Sequence, residues 1–533
     1  MADDVKDTLP PPPSSHSREG PGELKHNAIG FLDALVIGIN STSPAYSLAA
    51  VIGSVVALVG VYAPGVVLAS FVPMLLIASA FYYLNRVDQD CGTTFSWVTR
   101  AMGPWAGWFG GWAIMMTGVL VVGSLADVAV GFGLLTVGLD SWASNDLVRQ
   151  LLAVLVILVM TAICVIGTEA SAHVQNVLIL AQVASLLAFA VVAVQRVYTG
   201  TGSLGGVEPR LDWLNPFGAG GAALTAGLLL GVFMYWGWES AVNLTEEVKN
   251  SASAPGRAGI WSTIILLGTY LSVTIAVVAY AGPAYLAENA SEEEFIFASL
   301  AGQVLGGWDW LVLLAVSTSA LASTQTTIIP ASRTGLSMAR RGALPSVFAR
   351  IHPRFRTPHV STWAVAIVAV VWYLVVSQIS ENALLDSLTA LSLLIAFYYA
   401  LTGIACAVYY RRHLTESVRN FLLIGVGPVI GAVLLLWLLV ESVIDMSDPA
   451  NSYSGVSWFG VGPPLVIGIF IVVVGLLIMI ARRLTSERFW HERPGVCDPD
   501  LARGTGAGAG PGTGAGPGTG AGPGTRANGS GGP

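Results

Sequence analysis

Apolar runs of about twenty residues or more alternate with short polar gaps along most of this chain. Twelve such runs fall at roughly 29–56, 62–85, 105–137, 148–167, 170–195, 220–247, 258–281, 308–338, 359–378, 382–410, 419–442 and 459–481. A membrane span needs ~20 mostly apolar residues. Backbone hydrogen bonds cannot be left unmade in hydrocarbon, so runs apolar all round predict helices. A membrane β-barrel would instead show short segments of alternating polarity. The pattern therefore predicts an all-α membrane protein with about twelve transmembrane helices.

Two of the runs are interrupted near their middles. The first contains Gly38-Ile39-Asn40-Ser41-Thr42-Ser43-Pro44-Ala45-Tyr46-Ser47, midway between Ile29 and Leu58. Pro44 removes a backbone donor and disfavours helix at Ser43. The sixth contains Phe233-Met234-Tyr235-Trp236-Gly237-Trp238-Glu239-Ser240, with Gly237 at its centre. One such break is more often a kink than a site. Two breaks, each in the first helix of a five-helix block and each carrying polar residues, point to an inverted-repeat transporter with its binding site between them. Unwound backbone at that depth is tolerated only where it lines an enclosed cavity. Half-helix N-termini suit a carboxylate, and freed carbonyls suit an ammonium or a cation.

Composition narrows the class. Of 533 residues 54% are hydrophobic and 11% charged, whereas soluble domains carry about 25% charged residues; most of the surface must face lipid. With the N-terminus placed in the cytoplasm, cytoplasmic segments hold 21 of the 25 basic residues, and outer loops hold Arg149, Arg196 and Arg210. Arg333 falls inside the eighth run. This asymmetry predicts a cell-membrane protein with both termini cytoplasmic. Residues 1–27, with Pro10 to Pro13 in a row, read as a disordered tail rather than a signal peptide. Residues 484–533, with a repeated GTGAGPG, read as a second disordered tail. The four scattered cysteines suggest neither disulfides nor zinc. Nothing resembles a basic nucleic-acid face, a nucleotide loop or a hydrolytic motif, so an enzyme is not expected, and no cofactor.

Three stretches carry a resemblance: the break at Ser41 to Ser47; Tyr235-Trp-Gly-Trp-Glu-Ser followed by Glu246-Glu247-Val248-Lys249-Asn250; and Ser332-Arg333 through Arg340-Arg341-Gly342-Ala343-Leu344-Pro345, then His352-Pro353 and Thr357-Pro358. On these residues the chain resembles the amino acid–polyamine–organocation superfamily, and within it bacterial amino acid permeases. The resemblance implies a ten-helix inverted-repeat core over 28–412, with discontinuous helices 1 and 6, and two peripheral helices over 413–483. It implies a substrate held by Ile39, Asn40, Ser41, Thr42, Ser43, Phe233, Tyr235, Trp236, Gly237 and Glu239. In that scheme the carboxylate meets amides near Ser41 to Ser43, the ammonium meets carbonyls near Ile39 and Tyr235, and Phe233 acts as an aromatic gate. Ser319 and Ser323 fall where sodium-coupled relatives hold their ion. Gln182 stands where some proton-coupled relatives carry a lysine. Asp127, a carboxylate inside the third run, is a further candidate for coupling.

These readings lead to a secondary active transporter of an amino acid working by alternating access. A Na+ or H+ gradient, or exchange, would drive it. A carrier of polyamines or other organic amines, or a non-transporting ligand sensor on the same fold, are the alternatives. The partners expected are a small-molecule substrate and the lipid bilayer.

Overall fold

The computed structural model describes residues 23–497 apart from 168, 290–292, 380–382 and 453, with the backbone alone for 169–174, 293–295 and 383. The expected tails over 1–22 and 498–533 lie outside the described residues. Among the described residues the regular structure is helical, and eleven stretches are long and apolar enough to cross a membrane. The first of these, Phe31–Val87, has 57 residues, enough for two crossings at ~20 residues each. Twelve passes result, as the apolar pattern predicts.

The spans are labelled α1 to α12. In the first block α1 comprises Phe31–Thr42 and Pro44–Val59, α2 is Ala63–Val87, α3 is Pro104–Thr136, α4 is Asp146–Ile166 and α5 is Glu169–Thr199. In the second, α6 comprises Gly221–Tyr235 and a short turn Ser240–Asn243, α7 is Ala254–Glu288, α8 is Trp310–Arg340, α9 is His359–Ser377 and α10 is Ala383–Tyr409. Then come α11, Val418–Ser447, and α12, Pro463–Thr485. The first and sixth helices are discontinuous, as expected. Helix α7 lies along α2 and α8 along α3, which pairs equivalent members of the two blocks. Helices α11 and α12 pack on α10.

Two short helices were not anticipated. Thr94–Met102 sits between α2 and α3, and Glu293–Leu305 lies between α7 and α8. The boundary of the C-terminal tail also shifts. Residues 486–496 continue the body: Phe489–His491 form a 3-10 turn, and Phe489 and Trp490 are buried. Their two aromatic side chains gain more from packing than the Gly/Pro-rich composition beyond them could supply.

Candidate functional site

The breaks form where local chemistry demands them. Ser43 takes a left-handed conformation, φ 54°, and its amide turns back to the carbonyls of Ile39 and Asn40 at 3.1 Å. Pro44 then opens the second half-helix at a position where its missing N–H costs nothing. In α6 the helix stops after Tyr235. Gly237, with φ 120°, allows the chain to pass so close to α1 that a β-carbon there would lie 2.7 Å from the Ser41 carbonyl carbon and oxygen. The two breaks therefore touch, backbone against backbone.

Hydroxyls knit this crossing to α8. The Ser41 and Ser240 hydroxyls share a hydrogen bond of 2.6 Å, and those of Ser43 and Ser319 one of 2.9 Å. The Ser323 hydroxyl donates to the Ser41 carbonyl at 2.9 Å. Together with Thr42, Tyr46, Ser47, Val121, Leu125, Phe233 and Trp236, the residues Ser41, Ser43 and Ser323 line a small central cavity of about 10 Å³. That is room for about one water molecule, so a substrate requires Phe233 or Trp236 to move.

Phe233 is also the floor of a second space of about 340 Å³, walled by α1, α6, α10 and α11. This vestibule narrows from Leu58, Asp445 and Asn451 at its mouth to buried Ala50, Val51 and Phe233. It opens at the end of the bundle opposite Arg340 and Arg341. One aromatic ring thus separates vestibule from central cavity.

Behind the cavity wall lies Glu239, 4% exposed. The hydroxyls of Tyr398 and Tyr399 both donate to its carboxylate, and the Gly237 amide adds a bond of 3.2 Å. The Trp236 indole donates to the Tyr398 oxygen at 2.5 Å. The acid is thus joined to the cavity wall through Tyr398 and Trp236, and does not itself line the cavity. The tyrosine pair of α10 was missed from the sequence. Two adjacent phenols in mid-span were a signal, but one that names no partner.

Other anticipated residues fall elsewhere. Tyr235 is buried against Phe71 and Tyr270, away from the cavity. Asp127 is bound by Arg149 and by the Tyr373 hydroxyl at 2.8 Å, and pins α3 to α4 and α9. Gln182 reaches Thr318 on α8 at 3.5 Å. Asn40 is fully buried, and its amide oxygen and nitrogen have no hydrogen-bond partner. With the Gln182 oxygen, also unpartnered, it leaves polar atoms near the break unsatisfied. Such atoms fit a water or a hard cation, although the Ser319 and Ser323 hydroxyls are already spent on α1.

The basic end is sealed. Arg333, 1% exposed, meets Glu247 at 2.6 Å, and Arg340 meets Glu246 at 2.9 Å. The Cys91 amide donates to Glu246 at 3.0 Å, and Asn243 donates to the Cys91 carbonyl at 3.3 Å. Ile29 and Glu247–Lys249 exchange backbone bonds of 3.0 and 2.8 Å. Asp90, Cys91 and Glu246 place ligand-type atoms within 4.8 Å of one another. Arg341 and Arg340 already satisfy the two acids, so arginine rather than a metal meets that charge. Burial works to raise the Asp90 carboxyl, but Arg341, Ser337 and the Gly92 amide together hold it below its ordinary range. Burial pushes the Cys91 thiol well above its own, with Glu246 and Asp90 adding to the effect.

The family profile described as amino acid permease matches residues 29–482. The chain belongs to the amino acid permease family. The permease is 30% identical over 353 residues to an uncharacterized transporter of Mycobacterium tuberculosis, covering 64% of this chain and 72% of that one. It is 26% identical over 392 residues to the methylthioribose transporter of Bacillus subtilis, covering 70% and 77%. It is 24% identical over 418 residues to the branched-chain amino acid permease BcaP of Lactococcus lactis, covering 75% and 85%. The permease is therefore a multi-pass membrane transporter, and its relatives' names span more than one substrate chemistry.

Proposed function

We propose that this permease is a secondary carrier of a small neutral amino acid, held between the two breaks and moved by alternating access. The observation that carries the reading is the crossing of Gly237 over Ser41, which puts two interrupted helices around one hydroxyl-lined, uncharged cavity. The half-helix beginning at Pro44 offers its positive end, with the first-turn amide of Ala45, to a carboxylate. This is one turn later than the sequence suggested, because Ser43 spends its amide on Ile39 and Asn40. Val121, Leu125, Phe233 and Trp236 suit an apolar side chain. No acid lines the cavity, which disfavours a polyamine, and Glu239 is engaged by two tyrosines. Proton binding at Glu239 would couple transport, through Tyr398 and Trp236, to a pH gradient. The basic end faces the cytoplasm, so the vestibule faces outward.

Counterflow in liposomes tests this, with labelled alanine, valine, leucine, arginine, putrescine and methylthioribose. Neutral amino acids should exchange, and Ser43→Trp should abolish the signal by filling the cavity. Exchange of putrescine or methylthioribose alone would overturn the assignment.

A further inference from the structure

The segment after α12 is built into the sealed end. Phe489 stacks on Phe95 with ring centroids 5.5 Å apart, and Trp490 meets Trp105 at 4.8 Å. Glu492 accepts from Arg341 at 3.4 Å, and the Gly495 amide donates to the Arg100 carbonyl at 2.7 Å. These contacts fall on the two arginines that hold the linker between α2 and the short helix Thr94–Met102. Arg341 also reaches Asp90 at 3.5 Å, and Arg100 reaches Asp88 at 3.0 Å. Just beyond Asp88 and Asp90 the linker does the sealing, since Cys91 and Thr93 bind Glu246 and Asn243 at the inner end of α6. An unbroken series of contacts therefore runs from the C-terminal strap, through Arg341 and Arg100, to the linker and on to the broken helix.

We propose that residues 486–496 are a latch on the cytoplasmic gate: seated, the strap fixes the linker against α6 and holds the carrier facing outward; lifted, it frees the gate. A strap that merely covered apolar surface would account for Phe489 and Trp490 but not for Glu492 sharing Arg341 with Asp90. The latch goes beyond the substrate assignment and rests on it only for alternating access.

Cys91 supplies a native reporter. It is fully buried in the seal, and its raised pKa keeps it from the thiolate form that reacts. Opening the gate hydrates and exposes it. The test is the rate of Cys91 labelling by a membrane-impermeant maleimide applied to the cytoplasmic face. The host is the full-length carrier with Cys164, Cys406 and Cys497 replaced by alanine. Three variants are compared: a stop after Thr485, the full-length pair Phe489→Ala/Glu492→Gln, and Asp90→Asn. Each should label at least about fivefold faster, the low end of a coupling of 5–150-fold. No substrate is needed, so a wrong substrate assignment leaves the readout intact. If truncation prevents folding, the point variants decide. Faster labelling in Asp90→Asn with none in either strap variant would overturn the latch and leave a surface cover. Unchanged labelling in all three would overturn the contact series itself.

Discussion

One methyl group added at Gly237 would lie 2.7 Å from the Ser41 carbonyl, on a backbone with φ 120°. The strain of an overpacked core is about 1–3 kcal/mol, and the left-handed backbone adds about 1–2 kcal/mol. Gly237→Ala should therefore lower the melting temperature in detergent and abolish counterflow. Gly268→Ala, where a β-carbon meets nothing within 4 Å, should be neutral or slightly stabilising by the same assay. A second expectation concerns Glu239, whose carboxylate is spent on Tyr398 and Tyr399. Glu239→Gln should keep counterflow, which needs no gradient, and lose uptake driven by an inward proton gradient. Retained proton-driven uptake would place the coupling elsewhere. The sequence marked Glu239 and Gly237 because a charge and a glycine in mid-span are conspicuous. It missed Tyr398 and Tyr399, because which face α10 turns inward depends on packing that no single run of residues encodes. It left Asp127 open between a coupling role and a paired acid for the same reason. Arg149, 22 residues away, pairs with that acid, and only the folded chain brings the two together.

At the scale of elements, the spans were legible because burying a polar backbone in lipid leaves few solutions, and the twelve apolar runs became twelve helices. The short helix Thr94–Met102 was not, since its nine residues are too few and too mixed to stand out. The linker before it titrates. Burial raises the Asp88 carboxyl to about 6, with Arg100 opposing the shift. A folded pKa above the ordinary value means that the ionised form is the one the fold disfavours. Well below pH 3.8 the group is protonated in both states and costs nothing. As pH rises from there to about 6 the unfolded chain loses its proton first, and stability falls. Asp88→Asn should flatten the melting curve's dependence on pH across that window and raise stability at pH 7.5. A steeper dependence would mean that Arg100, not burial, governs the site. The pair Arg333 and Glu247 makes the contrasting case. Arg333→Met alone strands a buried carboxylate, a loss of about 3–5 kcal/mol. Adding Glu247→Leu should recover most of that in a thermal melt, while the gate stays leaky to Cys91 labelling.

Across the whole molecule the two ends differ in thickness. On the vestibule side a single ring, Phe233, stands between solvent and the central cavity. On the other, Arg333–Glu247, Arg340–Glu246, Arg341–Asp90 and the Ile29–Val248 backbone pairing must all part before the cavity is reached. A door and a wall give unequal traffic. If a bound substrate offsets the cost of parting the wall, the unloaded carrier should turn around slowly. Vesicles preloaded with substrate should therefore take up label several times faster than empty ones at the same gradient, and swapping one molecule for another should outrun net accumulation.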